Sequence, residues 1–198
     1  MDIPVNTGFL EIIQGPMKSG KTSRLITLYK QFTFCEVPVI VINNKRDDRY
    51  STTHLSTHDL VTVPCLNAMR LSELVDLSYT EPSGPNSQEF MNAKIILINE
   101  AQFFDDIVEW VTLAVETYNK CIYVCGLNSD FRRLPFGNWL DLERICDKIT
   151  HLTALCGNCK ERVALFSYRK SEDTEVILIG SETYIPVCRS CWILLASK

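Results

Sequence analysis

No stretch of this 198-residue chain approaches the roughly 18 uninterrupted apolar residues that a membrane-spanning helix requires. The opening MDIPVNTGFLEIIQG carries two acids and no basic start. A secretory leader has the opposite pattern, so a soluble, intracellular protein with no membrane partner is expected. Positive charge is also in short supply: 20 Lys and Arg stand against 24 Asp and Glu, a net charge of −4. Broad binding to nucleic acid needs a basic face that displaces counterions from phosphates, which this balance disfavours. No internal repeat or low-complexity tract is present, so a repeat array is not expected.

What is present is a chain able to bury a core. At 46% hydrophobic and 22% charged residues, it suits one large domain, or one domain plus a small appendix. Its nine cysteines are a high and odd count. Five (Cys35, Cys65, Cys121, Cys125 and Cys146) are scattered, several within apolar runs such as CIYVCG, where cysteine acts as a small hydrophobe. The other four form two CxxC pairs, Cys156 with Cys159 and Cys188 with Cys191, separated by 28 residues. Four thiolates so spaced suit a tetrahedral structural zinc with no open position for catalysis. A redox role is the weaker reading, because neither pair follows a strand to begin a helix. Disulfides conflict with the missing secretory signal.

Apolar runs rich in β-branched residues occur at 9–15, 37–43, 94–99 and 120–127, as strands buried on both faces require. Between them, Leu25, Leu28, Tyr29 and Phe32, and then Ile107, Val108, Val111 and Val115, keep helical spacing. The alternation predicts an α/β fold, a mostly parallel sheet flanked by helices. Residues 78–90, with two prolines, a glycine and serines, read as a surface loop. The alternation ends near His151, predicting a nucleotide-binding domain over 1–150 and a zinc-ribbon-like lid over 151–198.

GPMKSGKT, comprising Gly15, Pro16, Met17, Lys18, Ser19, Gly20, Lys21 and Thr22, fits the phosphate-loop pattern at every fixed position, between a predicted strand and a predicted helix. The glycines let backbone N–H groups and a helix N-terminus approach a phosphate, Lys21 reaches the outer phosphates, and Thr22 is placed to ligate magnesium. In an open parallel sheet the ligand lies beyond the carboxyl ends of the strands. That rule adds Asp47, Asp48 and Arg49, then Asn99, Glu100 and Gln102, then Asn128 and the run DFRRLPFG at 130–137.

Together GPMKSGKT, DDRYSTTHLSTHD, NEAQFFDDIVEW, GLNSDFRRLPFG, LTALCGNC and YIPVCRSC occur in the order seen in thymidine kinases of the cytosolic animal, bacterial and large DNA virus type, and span nearly the whole chain. The chain resembles that family. The resemblance implies ATP-dependent phosphorylation of thymidine at its 5'-hydroxyl, a homotetramer, and a cytoplasmic location (host cytoplasm for a viral source). It further implies Glu100 as general base, with Lys21, Arg49 and Arg169 near the phosphates. Phe103, Phe131 and Phe136 resemble aromatics enclosing the thymine, and Met17 and Ser167 the residues near its methyl group. Gln102 and Leu127 fall to the nucleoside pocket as well, and Tyr184 resembles the tyrosine of a covering loop. His54 and His58 read as part of a polar loop, His58-Asp59 matching the family's T-H-D run.

Three departures stand out. Asn99 occupies the position where the family usually has an aspartate that holds magnesium, and Asp47 is expected to carry that charge while Asn99 positions a metal-bound water. The stretch ILIGSETY is one residue short, with Gly180 and Ser181 where two glycines are usual. The spacing from Cys159 to Arg169 is one residue longer than in the animal enzymes. Two other functions are compatible with the same residues: a catalytically weakened nucleotide-binding protein of the same fold, because of Asn99, and a P-loop ATPase whose zinc ribbon binds nucleic acid.

Overall fold

The computed structural model describes residues 7–47, 53–57, 59–171 and 183–197. The phosphate-loop pattern lies between β1 (Phe9–Gly15) and α1 (Lys21–Phe34). Helix α1 stops where Glu36 turns left-handed, at φ 57°, ahead of Pro38, a helix stop followed by a residue that cannot continue it. Next come β2 (Val39–Asn44), a hairpin of β3 (His54–Ser56) and β4 (Thr62–Pro64), and β5 (Leu66–Ala68). Then follow α2 (Ser87–Asn92), β6 (Ile95–Ile98), α3 (Ile107–Glu116), β7 (Cys121–Leu127) and β8 (Lys148–His151).

Among the described residues, six strands form one sheet in the order β5-β2-β6-β7-β1-β8. All its pairings are parallel. Alternate residues of each strand serve opposite faces, as the two-residue strand period requires. Ile122 and Val124 pack with Phe90 of α2 and Trp110 and Val111 of α3 on one face. Cys121, Tyr123 and Cys125 pack with Leu25, Leu28 and Phe32 of α1 on the other. The α/β architecture expected from the alternation is therefore present. Strand β7 lies between β6 and β1, so the segment after β6 faces the phosphate loop across one intervening strand.

Two details correct or extend the sequence reading. Residues 87–90 are not loop but the start of α2. Asn86 bonds Glu89 at 3.1 Å, and Phe90 is fully buried edge-on to Trp110 and Tyr118. The buried Lys120 ammonium donates to the carbonyls of Met91 and Ala93 at the helix's end, the cationic cap that a helix C-terminus favours. In addition, β8 pairs with β1 from Glu11↔Lys148 through Gln14↔His151, so the parallel sheet runs one residue past the expected boundary.

Beyond β8 lie β9 (Ala154–Leu155), β10 (Val163–Ala164), β11 (Phe166–Arg169), β12 (Tyr184–Val187) and α4 (Arg189–Ala196). They make two short antiparallel ladders and a separate small apolar cluster built on Cys156, Ala164, Val187, Cys188 and Cys191.

Candidate active site

At the carboxyl end of β1 the chain wraps tightly. A Cβ on Gly15 would come within 2.3 Å of the Leu152 carbonyl and 2.9 Å of Ser19 Oγ, while Gly20 sits at φ 85°. Both positions therefore require glycine, one for space and one for backbone conformation. Lys18 is also left-handed. The Lys21 ammonium folds back onto the loop and donates to the carbonyls of Gly15 at 3.1 Å and Pro16 at 2.8 Å. Ser19 Oγ is buried with no hydrogen-bond partner. A glycine-lined cradle with a lysine and an orphaned hydroxyl fits an anion of phosphate type.

Across β7, Asn99 is almost fully buried. Its Oδ1 accepts from Thr22 Oγ1 at 3.4 Å and from the Cys125 thiol at 3.1 Å, and its Nδ2 donates to Asn43 Oδ1 at 2.8 Å. Asn43 Nδ2 in turn donates to the Asp47 carbonyl at 3.4 Å. Thr22 Oγ1 and Asn99 Oδ1, both oxygen donors of the kind hard divalent cations prefer, are thus linked in one polar chain that ends on the Asp47 backbone carbonyl. Burial pushes the Cys125 thiol up to about 12; the nearby Glu100 and Asp47 charges add to this, and Lys21 opposes it. Cys125 therefore stays a neutral donor. Asn43 has one weak signal in sequence, a polar side chain closing an apolar run at a parallel strand's carboxyl end, and sequence motifs alone miss it.

Glu100 is held at φ 53° and ψ 46°, a left-handed conformation rare for a side chain of its size. Its Oε2 accepts from Gln102 Nε2 at 2.6 Å, and Gln102 Oε1 accepts from the Leu127 N–H at 3.0 Å. Phe103 and Phe136, from the segments after β6 and β7, meet edge to face at 5.4 Å. Arg169 is buried, its guanidinium 3.9 Å from the Phe131 ring centroid, and both Nε and Nη2 donate to Tyr184 Oη. Ser167 Oγ accepts from the Met17 N–H at 3.0 Å, joining β11 to the phosphate loop. Arg49, His58, Gly180 and Ser181 lie outside the described residues. His54 opens β3 and is exposed.

Cys156, Cys159, Cys188 and Cys191 bring their sulfurs within 4.8 Å of one another, with Cys159 and Cys188 at 4.0 Å. Sulfurs bound to tetrahedral zinc at ~2.3 Å stand about 3.8 Å apart, so the cluster fits that ion. Burial alone would raise the Cys156 thiol, but N–H groups of Cys159, Cys188 and Asn158 bring it down to about 6. The Cys191 N–H likewise lowers the Cys188 thiol. Cys191, despite the Asn158 amide, is pushed up to about 11 by burial and the neighbouring thiols, so the first thiolates a metal needs form at Cys156 and Cys188.

A family model described as thymidine kinase matches residues 8–192. The chain belongs to the thymidine kinase family. It is 34% identical over 192 residues to a thymidine kinase of Oryza sativa subsp. japonica, covering 96% of this chain and 68% of that protein. It is 35% identical over 190 residues to one from vaccinia virus (strain Western Reserve), covering 96% and 99%. To one from fowlpox virus (strain NVSL) it is 35% identical over 192 residues, covering 95% and 98%. Within a thymidine kinase fold, the parallel sheet and the four-cysteine cluster are the two parts that the sequence motifs anticipated.

Proposed function

We propose that this chain transfers the γ-phosphoryl group of ATP to the 5'-hydroxyl of thymidine. The observation that carries the reading is the meeting of the phosphate loop with Asn99 and Glu100 across β7, in a chain of the thymidine kinase family. Glu100 accepts the hydroxyl proton as that oxygen bonds to the γ-phosphorus and the bond to the β-phosphate oxygen breaks, releasing ADP. A carboxylate within reach suits this role, and removing such a base costs roughly 10²- to 10⁴-fold. Lys21 and the loop N–H groups steady the phosphates, with Arg49 assigned beside them. Thr22, Asp47 and Asn99 are the residues that would hold magnesium, which when bound supplies positive charge to the phosphoryl oxygens. Phe103, Phe131 and Phe136 enclose the base and Tyr184 covers it. A structural zinc on the four cysteines cross-links the lid residues, and the assembly is a homotetramer.

The test is phosphate transfer from labelled ATP to a panel of deoxynucleosides across a magnesium titration. Transfer to thymidine is expected, with kcat of Glu100→Gln lower by roughly 10²-fold or more. No transfer at any magnesium level, with ATP and thymidine still bound, would mean that the fold binds nucleotide without turnover.

A further inference from the structure

Glu100 is aimed by a neighbour on its own turn. Gln102 belongs to the single 3₁₀ turn Ala101–Phe103 and is only 4% exposed. Its carboxamide is engaged at both ends, Nε2 on Glu100 Oε2 and Oε1 on the Leu127 N–H. Leu127 closes β7, and its carbonyl accepts from the indole of the fully buried Trp139 at 3.1 Å. The anchor of Gln102 is therefore the rigid end of a central strand. The slot that admits it is made by absence of side chains. A Cβ on Gly126 would stand 2.7 Å from Gln102 Oε1, and one on Gly137, itself at φ 68°, would stand 2.5 Å from the Gln102 carbonyl oxygen.

We infer that Gln102 is a positioning residue for phosphoryl transfer, fixing the Glu100 carboxylate against the end of β7 instead of contacting the nucleoside. This rests on the reading of Glu100 as the general base. An unbranched glutamate on a left-handed backbone position has several rotamers open to it, and a base must stand within hydrogen-bond reach of the proton it takes. A carboxamide can donate to the carboxylate at one end while accepting from a backbone N–H at the other, which neither a hydroxyl nor a carboxylate of that length does.

The experiment is steady-state kinetics of Gln102→Leu, Gln102→Met and Glu100→Gln with MgATP and thymidine. Gln102→Met keeps the length and unbranched shape of the side chain and adds no charge while removing the donor to Glu100, so it stays informative where the leucine variant folds poorly. A misplacement of about 1 Å can cost roughly 100-fold. The expected result is a fall in kcat of roughly 10- to 100-fold in both Gln102 variants with thymidine KM within about threefold, the pattern of an interaction that matters in the transition state. A kcat of Gln102→Met within about twofold of the parent, or a raised KM at unchanged kcat, would overturn the inference while an inactive Glu100→Gln left the base assignment standing. An active Glu100→Gln would instead remove the base assignment and this inference with it.

Discussion

Asn99 shows what one amide does that a carboxylate cannot. It donates to Asn43 and accepts from Thr22 and Cys125 in a place almost closed to water. An aspartate there would only accept, so Asn43 would have to turn its amide and release the Asp47 carbonyl. The neutral pair therefore gives each of its side-chain nitrogen and oxygen atoms a partner, at the expense of a negative charge beside the phosphate loop. Losing an outer partner of a metal typically costs roughly 10- to 100-fold in affinity. Asn99→Asp is accordingly expected to raise apparent magnesium affinity by about that factor with base selectivity unchanged. Nucleotide binding titrated against magnesium measures it; an unchanged affinity would assign the charge to Asp47 alone. The position was legible in sequence as a polar residue after a buried strand, but Asn43, 56 residues away, was not.

At the scale of elements, the segment after β7 is organised by Asp130. This buried carboxylate accepts from the N–H groups of Arg132 at 2.8 Å and Leu134 at 2.9 Å and from Arg132 Nε at 2.8 Å. It folds a tight turn, with Arg133 at φ 65°, that carries Phe131 and Phe136. Removing it takes three part-buried hydrogen bonds from the turn, at a net of about 0.5–1.5 kcal/mol each. Asp130→Ala should therefore lose about 2–4 kcal/mol of stability in denaturant titration and raise thymidine KM more than it lowers kcat. The principal strands and helices were readable because buried parallel strands and amphipathic helices leave strong periodic signals. The start of α2 was not, since six residues give less than two turns of period and its proline- and serine-rich lead-in resembles a loop. Strands β3, β4, β5 and β8, three or four residues each, escaped for the same reason.

Over the whole molecule, the cysteine-bearing part is tied to the sheet at several points. Ser167 meets Met17, Arg169 stacks on Phe131, and the Arg133 guanidinium lies 3.5 Å from the Trp192 ring centroid. Zinc on the four thiolates would hold β11 and β12 in the register that presents Ser167, Arg169 and Tyr184 together. Cys156→Ser is expected to lose bound zinc, lower Tm and weaken thymidine binding together, as read by metal analysis, thermal denaturation and calorimetric titration. Normal thymidine affinity in zinc-free protein would refute the tether.

By itself the sequence determined the strand-loop-helix that cradles phosphate, the α/β alternation and the paired cysteines, because each depends on backbone needs and spacings within a few neighbouring residues. Only the tertiary structure decided which polar atoms meet. Strand order inserts β7 between β6 and β1 and lays the end of β2 beside β6. Asn99 thereby finds Asn43, and Gln102 finds Leu127. Such pairings join chain segments far apart in sequence, and a hydrogen bond between two side chains leaves no periodicity in either segment to announce it.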